Sequence, residues 1–256
     1  MIKFSSYGNI GLHHGAQKII EEGGIAQMAS SEKEALKVAY GTENPKRIPA
    51  HQQVYFKLRE QILFGELAPG QPVTIQGLVE NLDAGMTPVR EAIRRLTAEG
   101  ALEFQGNRRV TVPTPTPGGI EELIYARQAI EPELVRRAAK IITADDIESL
   151  TKIDNDLDAA ITRGDVGAYL RHNYAFHAKL YAVAQSPILT EIADGLWLRF
   201  GPSLRVVCGR IGTQNLPDEH KETLQALSVG DGARAAEAIR QDVMQGMQQV
   251  KDSLNL

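Results

Sequence analysis

Thr87-Pro88-Val89-Arg90-Glu91-Ala92-Ile93-Arg94-Arg95-Leu96 is the stretch on which the reading of this chain turns. It has the marks of a helix opening. Thr87 is a good N-cap, Pro88 at the first helical position gives up an N–H that would lack a partner there, and Glu91 falls near the positive end of the helix dipole. Val89, Ala92, Ile93 and Leu96 recur at three- and four-residue intervals and make one apolar face. Arg90 and Arg94 stand one turn apart on another face, with Arg95 beside them. Gly100 ends the helix. A short amphipathic helix with arginines on its open side is ordinarily a solvated surface helix, so its neighbours decide.

Upstream, Val54, Leu58, Ile62 and Leu63 form a helical stripe that stops at Gly65, and Leu67-Ala68-Pro69-Gly70 is a turn. Thr74 caps a second, shorter helix that runs to Leu82. The tight connection Asp83-Ala84-Gly85-Met86 then leads into the arginine-bearing helix. Two helices so joined make a helix-turn-helix, whose second helix enters the DNA major groove by its N-terminal end. That aims Arg90 at base edges or phosphates. Downstream, Ala101–Phe104 and Val110–Val112 read as short strands around Gln105-Gly106-Asn107-Arg108-Arg109, a hairpin with cations at its tip, or wing. Residues 50–112 therefore read as a winged helix-turn-helix. Its expected DNA-binding set is Thr74, Thr87, Arg90, Arg94, Arg95, Arg108 and Arg109.

The charge agrees. The chain carries −4 overall, but residues 118–256 carry −5, residues 51–117 carry 0, and five arginines gather between residues 87 and 109 against three glutamates. A nucleic-acid reader needs a local basic face rather than a basic total.

Residues 113–119, Pro113-Thr114-Pro115-Thr116-Pro117-Gly118-Gly119, read as a stiff linker. Residues 120–253 read as helix throughout. Segments run from Ile120 to Ile142, from the Thr143 cap to Ile161, from Ala168 to Ala184, from Ser186 to Arg210 with a kink at Gly201-Pro202, from Pro217 to Val229, and from Asp231 to Lys251. Short loops between them predict an antiparallel bundle. The fold class is mainly α: an N-terminal winged helix-turn-helix domain followed by an all-helical bundle. Residues 1–49 carry scattered glycines and read as a loosely packed arm in which Ser31 and Glu34 open at most a short helix.

Composition narrows the classes. At 43% hydrophobic and 23% charged, the 256 residues suit globular domains with a real core. No run of eighteen apolar residues exists, so no membrane span is expected, and no apolar leader opens the chain. A single cysteine, Cys208, reads as a buried inert thiol and fits a reducing cytoplasm. Asp154, Asp156 and Asp158 read as a solvated helix face.

Gly65-Glu66-Leu67-Ala68-Pro69-Gly70 followed by Thr87-Pro88-Val89-Arg90-Glu91-Ala92-Ile93 resembles the DNA-binding domain of the GntR family of bacterial transcription regulators. Arg127 with Glu131, Asn173 to His177, and Glu219-His220 through Gly230-Asp231 are similar to the FadR subfamily, with its FCD ligand-sensing domain. The resemblance covers about residues 50–250. Two departures stand out. Gly85-Met86 replaces the family's Ser-Arg before Thr-Pro-Val-Arg, and Arg109 occupies the position of a wing glycine.

The resemblance implies a divalent metal in the bundle, held by Asn173, His177, His220 and Asp242, the last where the family has histidine. Imidazole with oxygen ligands suits zinc, nickel or manganese. It also implies that Arg127 points into the cavity, where its fork suits the carboxylate of a small organic acid. A lone helical histidine is otherwise a hydrogen-bonding core residue, and Tyr174 and Phe176 read as core. The function so implied is a ligand-responsive, cytoplasmic transcription regulator, a repressor by family habit. It would bind a double-stranded, pseudo-palindromic operator as a homodimer. Two alternatives use the same residues: a metal-dependent enzyme built on His177 and His220, and a metabolite-binding module whose winged domain contacts protein. Against the enzyme, no nucleophile with a paired base and no phosphate-cradling glycine loop is found.

Overall fold

The described residues of the computed structural model, 50–106, 109–211 and 219–254, form nine helices and three short strands. The expected N-terminal arm, Arg108 at the wing tip and the helix start at Pro217 lie outside them.

Helix α1 (Ala50–Leu63) buries Val54, Leu58 and Ile62 against α3 (Met86–Ala98). Between them lies α2 (Ile75–Leu82), where Thr74 caps as expected, its hydroxyl accepting from the Gly77 N–H at 3.1 Å. The opening of α3 differs from the expected one. Its N-cap is Gly85, in extended conformation, and the first helical residue is Met86. The first intrahelical bond runs from the Val89 N–H to the Gly85 carbonyl at 3.3 Å. Pro88 is thus the last residue whose missing N–H goes unused, and Thr87 sits inside the first turn rather than capping it.

Strand β1 (Pro72–Val73), which the sequence pattern did not suggest, joins β2 (Glu103–Gln105) and β3 (Arg109–Thr111) in the antiparallel order β1-β3-β2. Gln105 pairs with Arg109 next to the turn that closes the hairpin.

Helix α4 (Pro117–Ala138) begins inside the stretch expected to be linker. Thr116 accepts from the Gly119 N–H at 3.1 Å, and Pro117 takes the first helical position, so Pro and Gly here start a helix instead of breaking one. Helices α5 (Ala144–Arg163), α6 (Val166–Val183), α7 (Pro187–Ile211), α8 (His220–Ser228) and α9 (Gly232–Leu254) complete the bundle. Thr143 and Asp146 form a capping box at the head of α5. Helix α9 lies along α4 and α8, and α5 lies along α6.

Helix α7 also packs on α1, so the bundle touches the DNA-binding unit directly. Helix persists through Gly201-Pro202. The glycine serves close approach, since a Cβ there would stand 1.9 Å from the Leu63 carbonyl oxygen. Cys208 is buried, and burial pushes its thiol up to about 12, as an inert core thiol requires.

Candidate DNA-reading face and metal centre

Helix α3 divides its side chains sharply. Val89, Ala92, Ile93 and Leu96 are buried, while Met86, Thr87, Arg90, Glu91 and Arg94 are exposed. Arg90 and Arg94 share the open face with Met86 by four-residue steps. Arg94 pairs with Glu91 at 2.5 Å. Arg109 is exposed at the tip end of the wing, and Thr74 is exposed at the head of α2.

Arg95 does not join this face. Its Nε bonds Glu99 at 3.0 Å, and its guanidinium lies 3.7 Å over the Tyr55 ring, whose hydroxyl donates to Glu99 at 2.8 Å. One step of 100° around the helix from Arg94 turns it toward α1, where it ties α1 to the end of α3.

The second cluster is buried in the bundle. His177 from α6, His220 from the first turn of α8 and Asp242 from α9 each offer one ligand atom, and these atoms lie within 4.8 Å of one another. His177 Nε2 stands 3.3 Å from His220 Nε2 and 3.2 Å from Asp242 Oδ2. Both rings are fully buried. Asp242 Oδ1 accepts from the Glu219 N–H at 3.3 Å, which fixes the carboxylate. Asn173, one turn before His177 on α6, is buried as well.

The outer nitrogens decide which protons the rings carry. His220 Nδ1 faces Asp154 Oδ1 at 3.2 Å; a carboxylate only accepts, so Nδ1 carries the hydrogen. His177 Nδ1 lies 2.9 Å from the Tyr181 hydroxyl, which itself donates to Glu131 Oε2 at 2.5 Å. The phenol proton is thereby committed, and His177 Nδ1 donates to the phenol oxygen. With Nδ1 so protonated, each ring turns its Nε2 toward the Asp242 carboxylate. Two bare Nε2 lone pairs and a carboxylate would repel one another, so a proton or a metal cation must lie between them. Two imidazole nitrogens at about 2.05 Å from one zinc-sized ion stand about 3.3 Å apart across a tetrahedral angle. The donor set and its spacing fit a divalent metal.

In the metal-free chain a proton on His177 Nε2 plays the part of that cation: burial alone raises the Asp242 carboxyl, but the hydrogen bond from His177 and the charges of both histidines hold it at about 2. Asp154 is held low in the same way: burial raises it, and the His220 hydrogen bond and Lys221 more than compensate. The expected solvated face is therefore corrected at Asp154, which is 2% exposed and orients the His220 ring. The readable signal was its place in the Leu150-Ile153-Asp154-Leu157 stripe, a carboxylate at a core position. Tyr181, four residues after His177, was overlooked for the same reason.

Arg127 is buried beside the centre but already holds a carboxylate. Its Nε bonds Glu131 Oε1 at 2.5 Å and its Nη2 bonds Oε2 at 3.2 Å, while the guanidinium lies over the Trp197 and Phe200 rings at 4.5 and 4.6 Å. Burial lowers the guanidinium's pKa, but Glu131 outweighs it and leaves it raised. The expectation that its fork stands ready for an acid ligand is corrected by the i,i+4 partner that fills it. Trp197, 3% exposed and with its ring 4.9 Å from that of His177, keeps a buried Nε1–H without a hydrogen-bond partner.

From this centre, contacts run to the DNA-binding unit. Tyr174 packs edge-on to Trp197 at 5.7 Å and to Phe64 at 6.0 Å. Its hydroxyl donates to Asp194 at 2.5 Å, and the other oxygen of Asp194 pairs with Arg59 of α1 at 2.5 Å. Arg205 Nη1 donates to the Phe64 carbonyl, and Arg199 Nε donates to the Glu99 carbonyl.

Residues 50–112 match the bacterial regulatory proteins of the gntR family, and residues 122–244 match the FCD domain. The chain is 31% identical over 209 residues to the HTH-type transcriptional regulator McbR of Escherichia coli K12, covering 82% of this chain and 94% of that protein. It is 24% identical over 207 residues to the HTH-type transcriptional repressor RspR of the same strain, covering 80% and 89%. The solved structure of E. coli McbR/YncC superimposes with a TM-score of 0.77 at 27% identity, over 82% of this chain and all of that one.

Proposed function

This chain belongs to the gntR family of bacterial regulatory proteins, a transcription regulator with an FCD domain and not an enzyme, and on that premise we propose a homodimeric repressor whose sensing domain binds a small organic acid through a divalent metal. The observation that carries the metal is the convergence of His177 Nε2, His220 Nε2 and an Asp242 oxygen, with each histidine's other nitrogen donating outward. His177, His220 and Asp242 would hold the ion, with Asn173 as the fourth protein ligand. Zinc, nickel or manganese bound there would supply a positive centre able to take an organic acid's carboxylate. The orphan Trp197 N–H supports a ligand beside it, because a buried indole ordinarily has an acceptor. Arg127 and Glu131 orient Tyr181 and thereby His177, so the acid would be held by the metal.

At the other end, Arg90 reads base edges, and Arg94, Thr74, Thr87 and the wing arginines Arg108 and Arg109 hold phosphates. Two such units on a pseudo-palindrome give useful specificity. Repression follows RspR, a relative named as a repressor. An operator on bacterial DNA places the protein in the cytoplasm, and no helix among the described residues is long and apolar enough to cross a membrane. The packed route from His177 through Trp197 and Tyr174 to Phe64, Asp194 and Arg59 gives the effector a handle on α1. It acts to the extent that it binds one placement of α1 on α7 better than another.

The test is metal analysis of the purified full chain after exposure to zinc, nickel and manganese, beside a His177→Ala, His220→Ala double variant. Wild type is expected to hold one ion per chain and the variant none. A metal-free wild type, or an equally loaded variant, would remove the metal from the proposal.

A further inference from the structure

The exposed face of α3 carries one large apolar side chain among its polar groups. Met86, the first helical residue, is 54% exposed, ahead of Thr87, Arg90 and Arg94. Gly85 before it has no side chain, so Met86 is the first group of the helix to reach whatever lies beyond its N-terminus. It does not serve the core, which Val89, Ala92, Ile93 and Leu96 fill from the other side of the helix. Nor does it meet Arg90 or Arg94 as an ionic partner.

We propose that Met86 reads a thymine methyl group in each operator half-site, so that this chain selects a T·A pair where its recognition helix enters the major groove. The inference rests on the DNA-reading assignment made above. Among base edges in that groove, the C5-methyl of thymine is the one apolar feature; the others are donors and acceptors. A thioether pressed on a donor, an acceptor or a phosphate strips water from it and returns no hydrogen bond, which is unfavourable. Against a methyl group both surfaces leave water with nothing left unpaired. Methionine's unbranched, polarizable chain adapts to such a contact without demanding one rotamer. Arg90, one turn on along the same face, then reads the adjoining step through polar groups. The division of labour is an apolar group at the tip and a charged group behind it.

The experiment begins with selection of binding sites from a random duplex library by the full-length protein. In the enriched half-site, each thymine is then replaced in turn by deoxyuridine, which removes the methyl group and leaves every hydrogen-bonding group in place. For wild type, one replacement per half-site is expected to weaken binding by roughly fourfold, the change that one buried methyl group carries, and by roughly sixteenfold when made in both. Met86→Ala is expected to bind thymine and deoxyuridine duplexes alike, and Met86→Leu to keep the preference. Equal wild-type affinity for every deoxyuridine duplex overturns the assignment to Met86 while the protein remains a sequence-specific DNA binder. So does a Met86→Ala protein that keeps the full preference. A selection that enriches no sequence even at low salt overturns the DNA-reading assignment itself, and this inference with it.

Discussion

Arg94 with Glu91 on α3 and Arg127 with Glu131 on α4 are the same chemistry at the same distance, 2.5 Å, in two different solvents. The first pair is 76% and 49% exposed; the second is 2% and 0% exposed. On the recognition helix, water screens the pair and competes for both partners, so it contributes little and opens readily. Glu91 can release Arg94 to a phosphate at small cost. In the bundle the pair has no water to fall back on. Its charges stay because each compensates the other, and because Tyr181 and two aromatic faces complete the shell. A contact distance therefore says little about function until burial is known. The exposed unit keeps its charges available to a partner, whereas the buried unit uses them to hold Tyr181, and through it the His177 ring, in place.

The largest effect should come from breaking the buried pair. Arg127→Ala leaves Glu131 charged and unpaired, and the full chain should lose about 3–5 kcal/mol of stability in denaturant melts. An Arg127→Met, Glu131→Leu protein, with both charges gone, should recover most of that. A single variant as stable as wild type would show that water reaches the pair after all. On the open face, Arg90→Ala should leave the melt unchanged and cost about 1–3 kcal/mol in operator binding, with relaxed preference at one base pair by competition assay. Uniform weakening on all sequences would make Arg90 a phosphate contact.

Acid sharpens the same contrast. Asp242 is depressed from its ordinary 3.8 to about 2 in the folded chain. Its contribution is therefore present above pH 4 and lost as pH falls through about 2. In metal-free protein, wild type should lose about 2 kcal/mol across that window relative to Asp242→Asn. Parallel acid curves would show that Asp242 is not held by the histidines. The smallest effect is expected at the exposed pair: Arg94→Ala should change stability by less than about 1 kcal/mol. It should lower the log–log salt slope of DNA binding by about one unit if Arg94 meets a phosphate.

The helix-turn-helix was legible because its signals are local. The apolar intervals in α3, the Thr74 cap and the turn at Pro69-Gly70 all act within a few residues, and they form as read. Errors there were errors of phase, one turn or less: Gly85 for Thr87 as cap, and a helix started by Pro117 where a linker was expected. Arg95 was misplaced because adjacent arginines look equivalent in sequence, while 100° of helix rotation puts one at solvent and the other on Tyr55. In the bundle, periodicity marked which faces are buried but not which buried polar groups meet. His177 and His220 were legible through family resemblance alone, and Asp154, Tyr181 and Trp197 were not read as part of the site.

The sequence by itself determined the fold class, the helix-turn-helix and wing, and the helical character of the described segments after residue 117, because each follows from spacing within one or two turns. The tertiary structure alone decided which buried groups meet around His177, His220 and Asp242. His220 meets His177 across 43 residues and Asp154 across 66, and Arg59 meets Asp194 across 135. No local pattern encodes such meetings. They depend on how the helices pack, and packing leaves a buried donor or acceptor only the partners that the neighbouring helices bring to it.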